Sequence, residues 1–99
     1  MQHNYFIYIL TNKNKTVLNI GVTNDLENRL RQHIRGDSKF AFTKRYNCHF
    51  LIYFERFKYI NDAIDREKEL KGWTRNRKNL LIETENKNWK FLNDEILTE

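Results

Sequence analysis

The sequence predicts an α/β (α+β) domain, a small and mostly antiparallel three-stranded sheet flanked by helices, on three observations. Two apolar runs of strand length, 5–10 and 17–22, are separated by a polar turn and read as a β-hairpin. A third run, 50–57, is apolar at its centre and flanked by charge. Two stretches, one ending near Gly36 and one over 59–72, carry apolar residues at helical spacing. With 99 residues, 39% of them hydrophobic and none of them proline, the chain suits one domain over 1–99 with a single modest core.

Taken in order, a symmetric turn over 11–16 would pair Leu10 with Val17, Tyr8 with Asn19 and Phe6 with Gly21. Side chains directly across a ladder share a face, so Tyr8 and Asn19 would be neighbours. Thr23 or Asn24 can cap the first helix, with Asp25 and Glu27 near its positive end. Leu26, Leu30 and Ile34 mark its buried stripe, Arg29 and His33 share an adjacent face one turn apart, and Gly36 is a natural stop. The segment 37–47 reads as irregular, basic and aromatic. In the second helix Ile60, Ala63, Ile64 and Leu70 sit at core spacing, and Glu67 falls inside that stripe. An acid in an apolar slot is a local conflict of the kind found at functional sites. A third helix starts near Thr74 and runs through Ile82, after which Trp89, Phe91 and Leu92 fold back onto the core.

Composition narrows the function classes. A net charge of +5 favours a polyanionic partner. Cys48 stands alone, which excludes an internal disulfide and a Cys-rich zinc site and makes it a small, partly buried filler. The apolar runs 5–10 and 50–54 are far short of a membrane span, and residues 1–4 lack the basic and apolar regions of a signal peptide. The expectation is a cytoplasmic protein without membrane contact.

Four side chains suit phosphodiester cleavage, which needs an activated water, positive charge for the pentavalent oxyanion, and help for the leaving oxygen. Glu67 could hold one Mg²⁺ or Mn²⁺ together with phosphate oxygens and waters, or could lie at the rim of its stripe and reach solvent. Arg29 presents a planar fork fitted to phosphate, or pairs with Asp25 one turn back. His33 can move a proton. Tyr8 can polarise water or bond a phosphate, or serve the core with its hydroxyl satisfied. Lys44, Arg45 and Tyr46, with Lys71 and Arg75, form a basic and aromatic surface suited to a nucleic-acid backbone, or a solvated face that aids solubility.

The order of these features resembles the GIY-YIG nuclease superfamily, most of all its small single-domain bacterial members. The matching residues are Ile7-Tyr8, Ile20-Gly21, Thr23 with Asp25-Leu26, Arg29, His33, Phe42-Thr43 with Tyr46, and the run Leu51 to Glu55. They continue with Ala63 to Glu67, Leu70-Lys71-Gly72-Trp73, Leu81-Ile82-Glu83, Asn86 and Trp89. The resemblance spans about nine tenths of the chain. It implies the GIY-YIG endonuclease fold and metal-dependent hydrolysis of DNA rather than RNA, with low intrinsic sequence specificity that a protein partner would supplement. It assigns Tyr8 to the first motif, Arg29 to the scissile phosphate, His33 to the histidine of one branch, and Glu67 to the metal. Two positions depart: Phe6 replaces the first-motif glycine and Asn19 replaces the second-motif tyrosine. An amide can position water but cannot take its proton. The rival expectation is therefore a nucleic-acid-binding module with a degraded site, and a protein-interaction module would show an uncharged apolar patch instead.

Overall fold

The computed structural model of the protein describes residues 4–36 and 44–97. Strands β1 (Tyr5–Thr11), β2 (Leu18–Thr23) and β3 (Phe50–Phe57) form one antiparallel sheet in the order β2-β1-β3. Helices α1 (Leu26–Arg35), α2 (Ile60–Lys71), α3 (Arg75–Glu85) and the short α4 (Asn93–Ile96) complete the described elements. The α+β class and the three-stranded sheet expected from the sequence are both present.

β1 is central because it is apolar on both faces. Ile7 and Ile9 pack on one side with Ile20, Ile52, Ala63, Leu70 and Ile82, which brings α2 and α3 onto that face. Tyr8 and Leu10 pack on the other with Leu26, Leu30 and Leu51, which brings α1 there, with Ile96 of α4 beside it. A bulge interrupts the β1–β3 ladder between Ile9 and Leu10. The extra residue lets consecutive Ile52 and Tyr53 join the same core cluster, which a regular two-residue repeat forbids. Cys48 is fully buried rather than partly so.

The hairpin register differs from the symmetric expectation by two residues. Tyr8 lies opposite Gly21, Leu10 opposite Asn19, and Thr11 opposite Leu18. Side chains in the loop decide this. The Asn12 carboxamide oxygen accepts from the Thr16 and Val17 amides at 2.8 and 3.2 Å, and the Thr11 hydroxyl donates to the Val17 carbonyl at 2.7 Å. A slip of two keeps every side chain on its expected face but moves Asn19 one ladder step away from Tyr8.

Helix ends follow local chemistry. Asp25, not Thr23 or Asn24, is the α1 N-cap, its carboxylate accepting from the Asn28 amide. Gly36 closes α1 in the left-handed conformation at φ 72°. Tyr59 and Gly72 bound α2, and Thr74 caps α3 through the Arg77 amide. Ile34 and Ile60, expected in buried stripes, are 45% and 40% exposed, while His33 is buried in α1.

The β3 edge is covered by side chains and by the segment leading into α4. At β3 the Asn93 side chain accepts from the Leu51 amide, the Leu92 amide donates to the Leu51 carbonyl, and the Asn86 side chain donates to the Ile52 carbonyl. Among the described residues no helix is long and apolar enough to cross a membrane.

Candidate active site

The Tyr8 hydroxyl is the point at which Arg29 and His33 meet. From mid-β1 its ring lies across Gly21 of the neighbouring strand and reaches toward the β2 edge. A β-carbon on Gly21 would stand 2.3 Å from the phenolic oxygen, so the absence of a side chain there is what admits the ring. The sharp passage from β2 into α1, held by the Asp25 amide donating to the Thr23 hydroxyl, returns the helix over the same face. Leu26 and Leu30 bury against the sheet, which turns Arg29 and His33 toward the phenol.

Arg29 donates from one terminal nitrogen to the Tyr8 hydroxyl and to the Val22 carbonyl, each at 3.3 Å. His33 Nε2 lies 3.2 Å from the same hydroxyl, and the two rings meet edge to face with centroids 5.8 Å apart. His33 is only 3% exposed. Burial, then the charge of Arg29, lowers its pKa to about 4, so it is a neutral imidazole at physiological pH. In the Nδ1–H tautomer its Nε2 accepts the phenolic proton while Arg29 donates to the phenolic oxygen.

Burial raises the Tyr8 pKa above the ordinary phenol value. The hydrogen bond and charge of Arg29 oppose that rise, and the Glu67 carboxylate adds to it. Tyr8 is thus a protonated phenol at rest. Glu67 belongs to α2, on the face of the sheet opposite α1. Its carboxyl side chain is 18% exposed and pairs with the Lys71 ammonium at 3.3 Å, one turn on.

The remaining expected residues divide. Asn19 is half-buried on the Tyr8 face, opposite Leu10. The stem of Lys44 lies against Gly36 at the end of α1, one turn beyond His33, and Arg45 lies 5.5 Å over the Tyr46 ring; all three side chains are exposed. Phe42, Thr43 and the rest of 37–43 lie outside the described residues. Arg75 is engaged elsewhere: it donates to the Lys15 and Thr16 carbonyls at 2.9 and 3.0 Å and to the Asn79 side chain at 2.9 Å, clamping the hairpin loop. The sequence marks Gly21 as a motif residue but not as the seat of the Tyr8 ring, and it gives no sign of the role of the Val22 carbonyl. A glycine inside a strand pattern was the available signal for the first.

Among the described residues no group of three or more His, Cys, Asp or Glu side chains could enclose a metal. Glu67 alone fits a hard cation that takes its other ligands from phosphate and water. A cavity of about 380 Å³ lies at the opposite sheet edge beside β3, with Glu55, Glu85 and Glu95 on its wall. Such a rim repels a polyanion.

Comparison with known proteins places the chain in a family. The GIY-YIG catalytic domain family model matches residues 4–80. A UPF0213 protein of Bacillus pumilus is 35% identical over 82 residues, 83% of this chain and 82% of that one. UPF0213 proteins of Haloquadratum walsbyi and Clostridium perfringens are 32% and 38% identical, covering 84% and 78% of this chain and 91% and 81% of theirs. The solution NMR structure of a UPF0213 protein from Bacillus halodurans superposes with a TM-score of 0.57 at 26% identity, covering 96% of this chain and 99% of that one.

Proposed function

The chain belongs to the GIY-YIG family, beside the small UPF0213 proteins, and from that premise we propose that it is a divalent-metal-dependent endonuclease acting on DNA with little sequence specificity of its own. The observation that carries this reading is the meeting of Arg29 and His33 on the Tyr8 hydroxyl.

Each residue has a distinct task. Arg29, oriented by the Val22 carbonyl and the phenol, holds the scissile phosphate and stabilises the charge that grows on it. Tyr8 stays protonated and passes its hydrogen bond to His33, so the pair orients a water rather than offering a resting phenolate. Neutral His33 is the proton acceptor behind the phenol. A phosphate settling on Arg29 offsets one of the two causes that depress its basicity. Glu67 would hold one Mg²⁺ or Mn²⁺, and the ion, when bound, supplies positive charge to the oxyanion and the leaving oxygen. Lys44, Arg45 and Tyr46 continue the surface past the end of α1, where cations track phosphates and an exposed ring can stack a base. Contacts of this kind read backbone rather than sequence, which is why specificity is low and a protein partner would have to add it.

Asn19 supports a second reading, a nucleic-acid-binding module with a degraded site. The test is cleavage of branched, single-stranded and duplex DNA with Mg²⁺ or Mn²⁺. On the nuclease reading the wild type cuts, and Arg29→Ala and Glu67→Ala each lose about a hundredfold or more with circular dichroism unchanged. The binding-module reading predicts no cleavage on any substrate and an affinity that Glu67→Ala does not lower. Cleavage that survives Glu67→Ala removes both.

A further inference from the structure

Acidic groups around α2 are not equally placed. Arg66 gathers two of them, donating to both oxygens of Glu55 at 2.9 and 3.0 Å and also to Glu69. Glu67 lies outside that network. Among the described residues, the one cation in ion-pair contact with it is Lys71, whose ammonium lies 3.3 Å from Oε2. The carboxylate is well sheltered at 18% exposure while the lysine is 55% exposed. The two are one turn apart with the acid nearer the helix N-terminus, the favourable order.

We propose that Lys71 is a tethered competitor for the metal ion at Glu67, which it neutralises until a nucleic-acid phosphate draws the ammonium away; this rests on the metal-dependent reading above. An ammonium in contact with the Glu67 carboxylate cannot stay there when a divalent ion arrives. A single and a double positive charge a few ångström apart in water repel by enough to weaken the ion's binding about tenfold to thirtyfold. Exchange is easy because the pair is weak: an i, i+4 ion pair whose ammonium is exposed is a shallow minimum. Lysine also suits the role better than arginine would. Its charge is a compact point on a flexible four-carbon stem, able to move from a carboxylate to a phosphate without satisfying a planar fork. Lys71 stands in the last turn of α2, where a cation is favoured by the helix dipole, so the pair is not what holds the helix. Substrate and ion would therefore load together, which keeps the site unmetallated away from nucleic acid.

The test measures Mn²⁺ binding to the full chain without nucleic acid, following free Mn²⁺ by electron paramagnetic resonance for wild type, Lys71→Gln, Glu67→Gln and the double variant. Lys71→Met, uncharged and of similar length, serves as a second variant should the first fold poorly. The expected result is about tenfold tighter Mn²⁺ binding on loss of the lysine charge, and no such gain where Glu67 is also replaced. A metal-free fluorescence-anisotropy titration of a labelled single-stranded oligonucleotide tests the hand-over. Glu67→Gln should tighten binding by freeing the lysine, and that gain should shrink when Lys71 is replaced as well. Glu67-dependent Mn²⁺ binding that is the same with and without the lysine charge overturns the competitor role and leaves the nuclease reading standing. An oligonucleotide gain that does not shrink overturns the hand-over. Mn²⁺ binding indifferent to Glu67 in every variant overturns the proposal and the metal-dependent reading together.

Discussion

Tyr8 occupies the space that a side chain on Gly21 would need: its phenolic oxygen stands 2.3 Å, and its Cζ 2.4 Å, from the position of a β-carbon there. The contact joins β1 to the edge strand and sets where the phenol meets α1. A glycine inside a strand normally weakens it, so its presence here is explained by the ring it admits.

Gly21→Ala is therefore expected to destabilise the fold by about 1–3 kcal/mol, the usual cost of overpacking, although alanine is the better strand residue. Urea denaturation measures it. In a Tyr8→Leu background, where the ring is gone, the same substitution should cost much less. Equal costs in the two backgrounds would mean that the ring and the glycine are not coupled.

His33 predicts a pH dependence of stability. Its folded pKa of about 4 lies below the ordinary histidine value of 6.5, so the unfolded chain binds the extra proton first as pH falls. Its neutral form contributes stability that is fully present above pH 6.5 and is lost as pH falls from there through 4, by at most about 3 kcal/mol. His33→Gln does not titrate. Relative to it, wild-type stability should decline more steeply between pH 6.5 and 4, and parallel curves would count against a depressed histidine.

The basic residues should separate by function. Arg75→Ala releases the Lys15 and Thr16 carbonyls and is expected to lower stability by about 1–2 kcal/mol, in the range of a few exposed hydrogen bonds, with little change in nucleic-acid affinity. Lys44→Glu and Arg45→Glu should leave stability nearly unchanged, weaken binding and flatten its salt dependence. Thermal melts and affinity measured across a salt series check both halves; a strong affinity loss on Arg75→Ala alone would reverse the assignment.

Asn19 bears most directly on activity. Asn19→Tyr would place a second phenol on the Tyr8 face, one ladder step from it. Metal-dependent cleavage should rise about tenfold to a thousandfold, since positioned acid–base groups contribute about 10²–10⁴, and Tyr8→Phe should depress it. An Asn19→Tyr protein that folds and cuts no faster would show that the absent phenol is not what limits the rate.

The sequence alone determined what depends on near neighbours in the chain. The span of β3 over Phe50–Phe57, the limits of α2 at Tyr59 and Gly72, and the one-turn spacing of Arg29 and His33 all follow from local periodicity and capping. Glu67, conspicuous as an acid within an apolar stripe, is a sheltered carboxylate paired with Lys71. Tertiary structure decided how distant residues share space and hydrogen bonds. The hairpin register turned on which loop amides Asn12 could satisfy, a choice made by geometry across the turn. Whether Arg75 faced nucleic acid or the hairpin loop depended on a loop some sixty residues earlier. His33 rather than Ile34 went inside because the Tyr8 hydroxyl offered its ring a buried partner, and that partner exists only once Gly21 lets the phenol cross β2. Helical spacing marks which side chains share a face, but burying a polar ring requires a hydrogen bond from elsewhere in the fold.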